Sequence, residues 1–157
     1  MAVYTAKAAE KLRKEKLCAA GADIYFQMYP EYEPHPKPAG TTAITVTFPV
    51  PTDDTSRMLS AIFPKLKTIF IDGRRYKKAG VMFFGLESVT SVQPDLFAPQ
   101  QKKENSDLFR IVDQVNKKFG RGTVFTLSEG IDKKWQMKRD MLSKSYTTDW
   151  ASLPEVK

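Results

Sequence analysis

Two stretches of strict alternation, Ile24-Tyr25-Phe26-Gln27-Met28 and Ile44-Thr45-Val46-Thr47-Phe48, flank a segment with prolines at positions 30, 34, 36 and 38. That arrangement constrains the fold more than any other feature. A period of two puts successive side chains on opposite faces of a strand. The proline-rich stretch from Pro30 to Gly40 lacks the backbone N–H groups to continue either strand, so it reads as a loop between them. Pro49 and Pro51 close the second strand.

Helical signals surround this pair. Tyr4 to Leu17 is rich in Ala, Lys, Glu and Leu, and Gly21 supplies a stop. Its apolar stripe is thin, so that helix is marginal alone. Asp53, Asp54, Thr55 and Ser56 offer N-caps for a strongly periodic helix with Met58, Leu59, Ile62, Phe63, Leu66, Ile69 and Phe70 on one face. Pro64 predicts a kink within it, and Asp72-Gly73 ends it. Tyr76 to Leu86, centred on Val81-Met82-Phe83-Phe84, reads as a third strand. The order α-β-β-α-β predicts an α+β domain with helices on one face of a sheet.

The character changes over Glu87 to Lys103, a polar stretch without periodicity that reads as a linker. Asn105-Ser106 can cap a further helix whose stripe is Leu108, Ile111, Val112, Val115 and Phe119, with Gly120 as its stop. Thr123 to Leu127 is strand-like and Glu129-Gly130 a turn, while Ile131 to Leu142 suits helix and strand equally. The expected division is a domain over 1–88, a linker over 89–104 and a small α/β tail module over 105–157.

Lys and Arg number 25 against 18 Asp and Glu, a formal net charge of +7. That balance points to a polyanionic partner, nucleic acid first, because the cations cluster with strand-like segments; plain solubility is the alternative. Cys18 is the single cysteine, which excludes an intramolecular disulfide or a cysteine metal site and fits a reducing cytosol. No apolar run approaches the ~18 residues of a membrane span, and no signal-peptide pattern opens the chain. It reads as soluble and cytoplasmic.

The cations Arg74, Arg75, Lys77 and Lys78 fall where the second helix hands over to the third strand. Four cations in five residues can follow a phosphate backbone without reading bases. A solvated helix terminus, its cations at the negative end of the macrodipole, accounts for them equally well. Tyr76 between them suits the core better than a base. In the linker, Gln93-Pro94-Asp95-Leu96-Phe97 places adjacent apolar side chains after a hydrogen-bonding Gln, which suits insertion into a pocket on a partner. Packing of Leu96 and Phe97 back on the domain is the other reading. Arg121, Lys138 and Arg139 are further candidates for phosphate contact, the last two near Trp135 and Met137. Trp135 and Met137 are better read as completing a small core. Gly120-Arg121-Gly122-Thr123 lacks the spacing of a nucleotide-binding loop.

Catalytic chemistry finds no support. His35 is the single histidine, in the proline loop, without an evident partner. Asp53-Asp54 is better explained as capping than as a metal pair. No cofactor is implied, and a small hydrolase has no base, nucleophile or metal set to work with.

Several separated motifs in one order resemble the C-terminal part of UmuC-type proteins, the DNA polymerase V branch of the Y-family translesion polymerases. They are Ala8-Ala9-Glu10-Lys11-Leu12-Arg13, Tyr76-Lys77-Lys78-Ala79-Gly80-Val81-Met82, the Gln93–Phe97 motif, Gly120-Arg121-Gly122-Thr123-Val124-Phe125, Trp135-Gln136-Met137-Lys138-Arg139-Asp140-Met141-Leu142-Ser143 and Tyr146-Thr147-Thr148. In the last of these the family has Ser-Pro-Arg before Tyr-Thr-Thr, where this chain has Ser143-Lys144-Ser145. The resemblance implies that 1–88 is a little-finger domain, which lays a β-sheet against the primer–template backbone. Little fingers run β-α-β-β-α-β, so it also implies a sheet truncated by its first strand. It implies that Gln93, Leu96 and Phe97 anchor the sliding clamp, with Pro94 where the family often has Leu. The family's catalytic carboxylates, which hold two metal ions, belong N-terminal to anything here, so the resemblance implies a non-enzymatic region acting in SOS DNA repair. A UmuD-type subunit and the recombinase filament are its family-level partners. A stand-alone protein-interaction module that competes for polymerase partners, with negligible DNA binding, is the alternative.

Overall fold

The computed structural model describes residues 1–29, 40–92, 103–132, 135, 141, 143–144 and 146–153. Its elements are α1 (Ala2–Lys14), β1 (Leu17–Met28), β2 (Thr41–Thr52), α2 (Thr55–Ile69), β3 (Tyr76–Ser88) and α3 (Lys103–Phe119). Two three-residue 3-10 turns follow, Leu127–Glu129 and Trp150–Ser152. The three strands form one antiparallel sheet in the order β2-β1-β3. The α-β-β-α-β order and the α+β class expected from the alternation are both present.

The core lies between one face of this sheet and the first two helices. Ala22 and Ile24 of β1, Val46 and Phe48 of β2, Ala9 and Leu12 of α1, and Met58 and Ile62 of α2 are buried together, with Val81 and Phe83 of β3 packed against them. These are the alternate residues of each strand, so the intervening ones form the opposite face.

α1 ends three residues earlier than expected. Lys16 takes a left-handed conformation, φ 55°, and turns the chain directly into β1. Gly21 is therefore a strand residue and no helix stop. The run Cys18-Ala19-Ala20-Gly21-Ala22 has no alternation to betray a strand; its pairing with β2 on one side and β3 on the other makes it one. β2 also outlasts its expected end. It runs through Pro49 and Pro51 to Thr52 because it lies at the sheet edge, where a proline need not donate. Between the pairs Gly21–Thr47 and Ala19–Thr52 the register shifts, and both prolines fall within that irregularity.

α2 starts on Asp54, whose carboxylate accepts from the N–H groups of Ser56 (2.8 Å) and Arg57 (3.3 Å), as the capping signal predicted. The helix carries Pro64 on its exposed side and continues to Ile69. Phe70, expected on the helix, is its extended C-cap instead. Its ring stacks on Tyr76 (5.3 Å) and meets Phe26 edge-on (6.2 Å). The Tyr76 hydroxyl accepts from the Ile71 N–H (2.7 Å) and donates to the Ile71 carbonyl (3.0 Å), which fixes the turn into β3.

α3 begins at Lys103, so Asn105-Ser106 lies inside it and does not cap it. The strand expected over Thr123 to Leu127 is absent: these residues form turns and the start of a 3-10 turn. Among the described residues no strand is within reach to pair with it. Instead the Asn116 amide donates to the Val124 carbonyl (2.8 Å) and accepts from the Val124 N–H (2.9 Å), standing in for a strand partner.

Candidate nucleic-acid interface

The face of the sheet opposite α1 and α2 carries Asp23, Tyr25 and Gln27 from β1, Thr45 and Thr47 from β2, and Lys78, Met82 and Phe84 from β3, as the register requires. Tyr25, Thr45, Thr47, Lys78 and Met82 are exposed. Two aromatic rings cover glycines: Tyr25 rests against Gly80 and Phe84 against Gly21. The Thr45 hydroxyl donates to Asp23 (2.6 Å), which occupies that carboxylate. Among the described residues the surface is mixed aromatic and hydroxyl, and no helix covers it.

The expected cations gather at one end of it. β3 has a bulge where Gln27 pairs with Lys78 and Met28 with Tyr76, leaving Lys77 as the extra residue. Lys77 and Lys78 are both exposed. Arg75, also exposed, is held by its carbonyl, which accepts from the Tyr29 N–H (3.1 Å), and its guanidinium lies 5.5 Å from the Tyr29 ring centroid. Arg74 is half-buried. The cluster follows the end of α2 by way of Phe70 and the Asp72-Gly73 turn.

One further candidate is described, and it lies elsewhere. Arg121 is exposed in the turn after α3, between Gly120 and Gly122, both at positive φ. Lys138 and Arg139, Gln93, Leu96 and Phe97, the proline loop with its His35, and Met137 lie outside the described residues. Trp135 is half exposed and its ring stands 5.8 Å from that of Tyr4 in α1. Tyr25, Phe84, Thr45 and Thr47 were not singled out by sequence. Alternation shows that each strand has two faces, but not which one the helices cover.

Two buried carboxylates lie at the start of α2. Asp54 caps α2, while Asp53 is buried, and that burial raises its carboxyl above the usual range against the opposing pull of Arg13. Burial likewise pushes the Cys18 thiol up to about 11, helped by Asp53 and Glu87. Among the described residues no three His, Cys, Asp or Glu gather as a metal site would require, and no helix is long and apolar enough to cross a membrane.

Residues 1–96 match the impB/mucB/samB family C-terminal domain. The chain belongs to the impB/mucB/samB family. Residues 106–156 match a second family model, a domain of unknown function (DUF4113). Protein UmuC of Salmonella typhimurium strain LT2 is 35% identical over 155 residues, 98% of this chain and 36% of that protein. Protein ImpB of Salmonella typhimurium is 34% identical over 152 residues, and Protein MucB of Escherichia coli 33% over 155; each alignment covers 96% of this chain and 35% of the relative. The chain thus spans about a third of the length of the relatives it matches. No solved structure matches it. The resemblance to the C-terminal part of UmuC-type proteins, drawn from separated motifs, holds across nearly the whole impB/mucB/samB chain.

Proposed function

We propose that this impB/mucB/samB chain is a non-catalytic region of a translesion polymerase that grips primer–template DNA by its backbone and tethers to the sliding clamp during SOS repair. One observation carries the DNA half: an open sheet face with three exposed cations, Arg75, Lys77 and Lys78, at one end. The exposure of these groups suits contact with phosphates, and the exposed Tyr25 ring beside them offers a surface for a base or sugar. Cations meet phosphates, which every sequence presents alike, so the grip is independent of sequence. The clamp half rests on the Gln93, Leu96 and Phe97 pattern in the family setting.

Fluorescence anisotropy on a labelled primer–template tests the first half. Binding should weaken steeply with salt and be indifferent to sequence. Lys77→Ala/Lys78→Ala should reduce the log–log salt slope by about one for each phosphate the variant no longer neutralises. Absent or salt-insensitive binding would leave the protein-interaction module as the better reading. For the clamp, surface plasmon resonance should register binding that Leu96→Ala/Phe97→Ala abolishes; no binding by the parent chain removes the tether from the proposal.

A further inference from the structure

The amphipathic helix α3 docks through a contact that is polar as well as apolar, and much of its apolar stripe stays outside, Val112 and Val115 being half-buried. Leu108, Ile111 and Phe119 of the stripe are each more than half exposed. Phe109 and Asp113, one turn apart on the adjoining face, meet the domain instead. Their common partner is Arg13 at the end of α1. Its Nε donates to Asp113 Oδ2 (2.6 Å) and Nη2 to Asp113 Oδ1 (3.0 Å), a two-pronged pair. Nη1 donates to the Asp53 carbonyl (2.8 Å) and the Thr55 hydroxyl (2.9 Å), and the guanidinium lies 5.2 Å from the Phe109 ring centroid. The Arg13 side chain is only 4% exposed.

We infer that Arg13 is a latch by which the impB/mucB/samB domain holds the module of unknown function, with Asp113 and Phe109 as the groups it grips. The surface it belongs to, where α1 ends and α2 begins, is a docking site for the tail helix of the same chain. The arrangement divides labour within one side chain. Two of its hydrogen bonds stay inside the domain, so Arg13 keeps its place when α3 leaves; the other two and the ring contact are made only when α3 is docked. Among the described residues Arg13 supplies the hydrogen bonds between α3 and the domain, with Arg110 of α3 adding an electrostatic contact to Asp53, so α3 is releasable without unfolding the sheet. Release would add Phe109 to the already exposed Leu108 and Ile111, so the helix presents more apolar surface undocked than docked.

Amide hydrogen exchange over residues 107–119, read by mass spectrometry on the full chain, tests it. Asp113→Arg places two cations together and should speed exchange in α3 by about tenfold or more, while β1 keeps its protection. Asp113→Asn removes the charge alone and should speed α3 exchange by a smaller factor than Asp113→Arg, whereas Arg13→Asp also loses the hydrogen bonds to the Asp53 carbonyl and Thr55 and should speed exchange in β1 as well. Unchanged α3 exchange in Asp113→Arg overturns the latch. Equal acceleration in β1 and α3 in that variant also overturns it, because the contact would then be part of one cooperative core.

Discussion

Gly21 and Gly80 occupy the helix-free face and are each covered by an aromatic ring, yet they should respond differently to alanine. A Cβ at Gly80 runs into the Tyr25 ring, whose side chain is exposed and free to swing outward. A Cβ at Gly21 meets the Phe84 ring and also the Val46 carbonyl oxygen at 2.6 Å, backbone that cannot yield without disturbing the β1–β2 ladder. Gly21→Ala should therefore cost about 1–3 kcal/mol in urea unfolding, as overpacking does, and Gly80→Ala clearly less. Equal destabilisation would mean that Tyr25 is as fixed as the ladder. Cys18 offers a pH-dependent observable. Its thiol titrates near 11 when folded, above the unfolded value of about 8.5. The native state thus holds a proton the unfolded chain releases first, so the contribution is complete below the unfolded value and is lost as pH rises toward 11. Iodoacetamide labelling of the folded chain should stay slow through about pH 9, where an unfolded control reacts readily.

The elements differ in how plainly their sequence announces them. α2 has a cap, a wide apolar face and a long run, and it forms where those signals put it. Asp54→Ala removes two N-terminal hydrogen bonds and should lower stability by about 1 kcal/mol, measured as a fall in urea midpoint at constant slope. α1 buries only Ala2, Val3, Thr5, Ala9 and Leu12, small groups for the most part, and so gives a faint stripe. β1 is half visible in the sequence: Ile24, Phe26 and Met28 alternate, whereas Leu17 to Ala22 is strand only because strands flank it. Thr123 to Leu127 shows the converse. Its composition suits a strand, but a strand exists only with a partner, and the Asn116 side chain takes that place.

For the whole molecule, the net charge of +7 is distributed so that three exposed cations sit at one end of an open face. If that end meets phosphate, Arg75→Ala should weaken DNA binding by a similar factor on every sequence tested, without altering unfolding stability by more than about 0.5 kcal/mol. Weakening confined to one sequence would point to base contact and overturn the backbone reading. The two family modules meet at Arg13, a residue the sequence offered only as part of a helical motif. An arginine in a helix gives no sign of which distant carboxylate will pair with it; a separation of 100 residues lies beyond any local pattern.

By itself the sequence determined the element order, the α+β class, the caps and turns around α2, the position of the cations and the family, because all of these follow from local periodicity, backbone chemistry and motif order. Tertiary structure alone decided which sheet face the helices leave uncovered, how far β1 and β2 extend, that Tyr25 and Phe84 lie over glycines, and that α3 docks by Phe109 and Asp113 with Leu108, Ile111 and Phe119 of its stripe outward. The physical reason is common to all four. Each depends on a partner distant in sequence, and an alternating or amphipathic pattern states that a face can be buried without stating what will cover it.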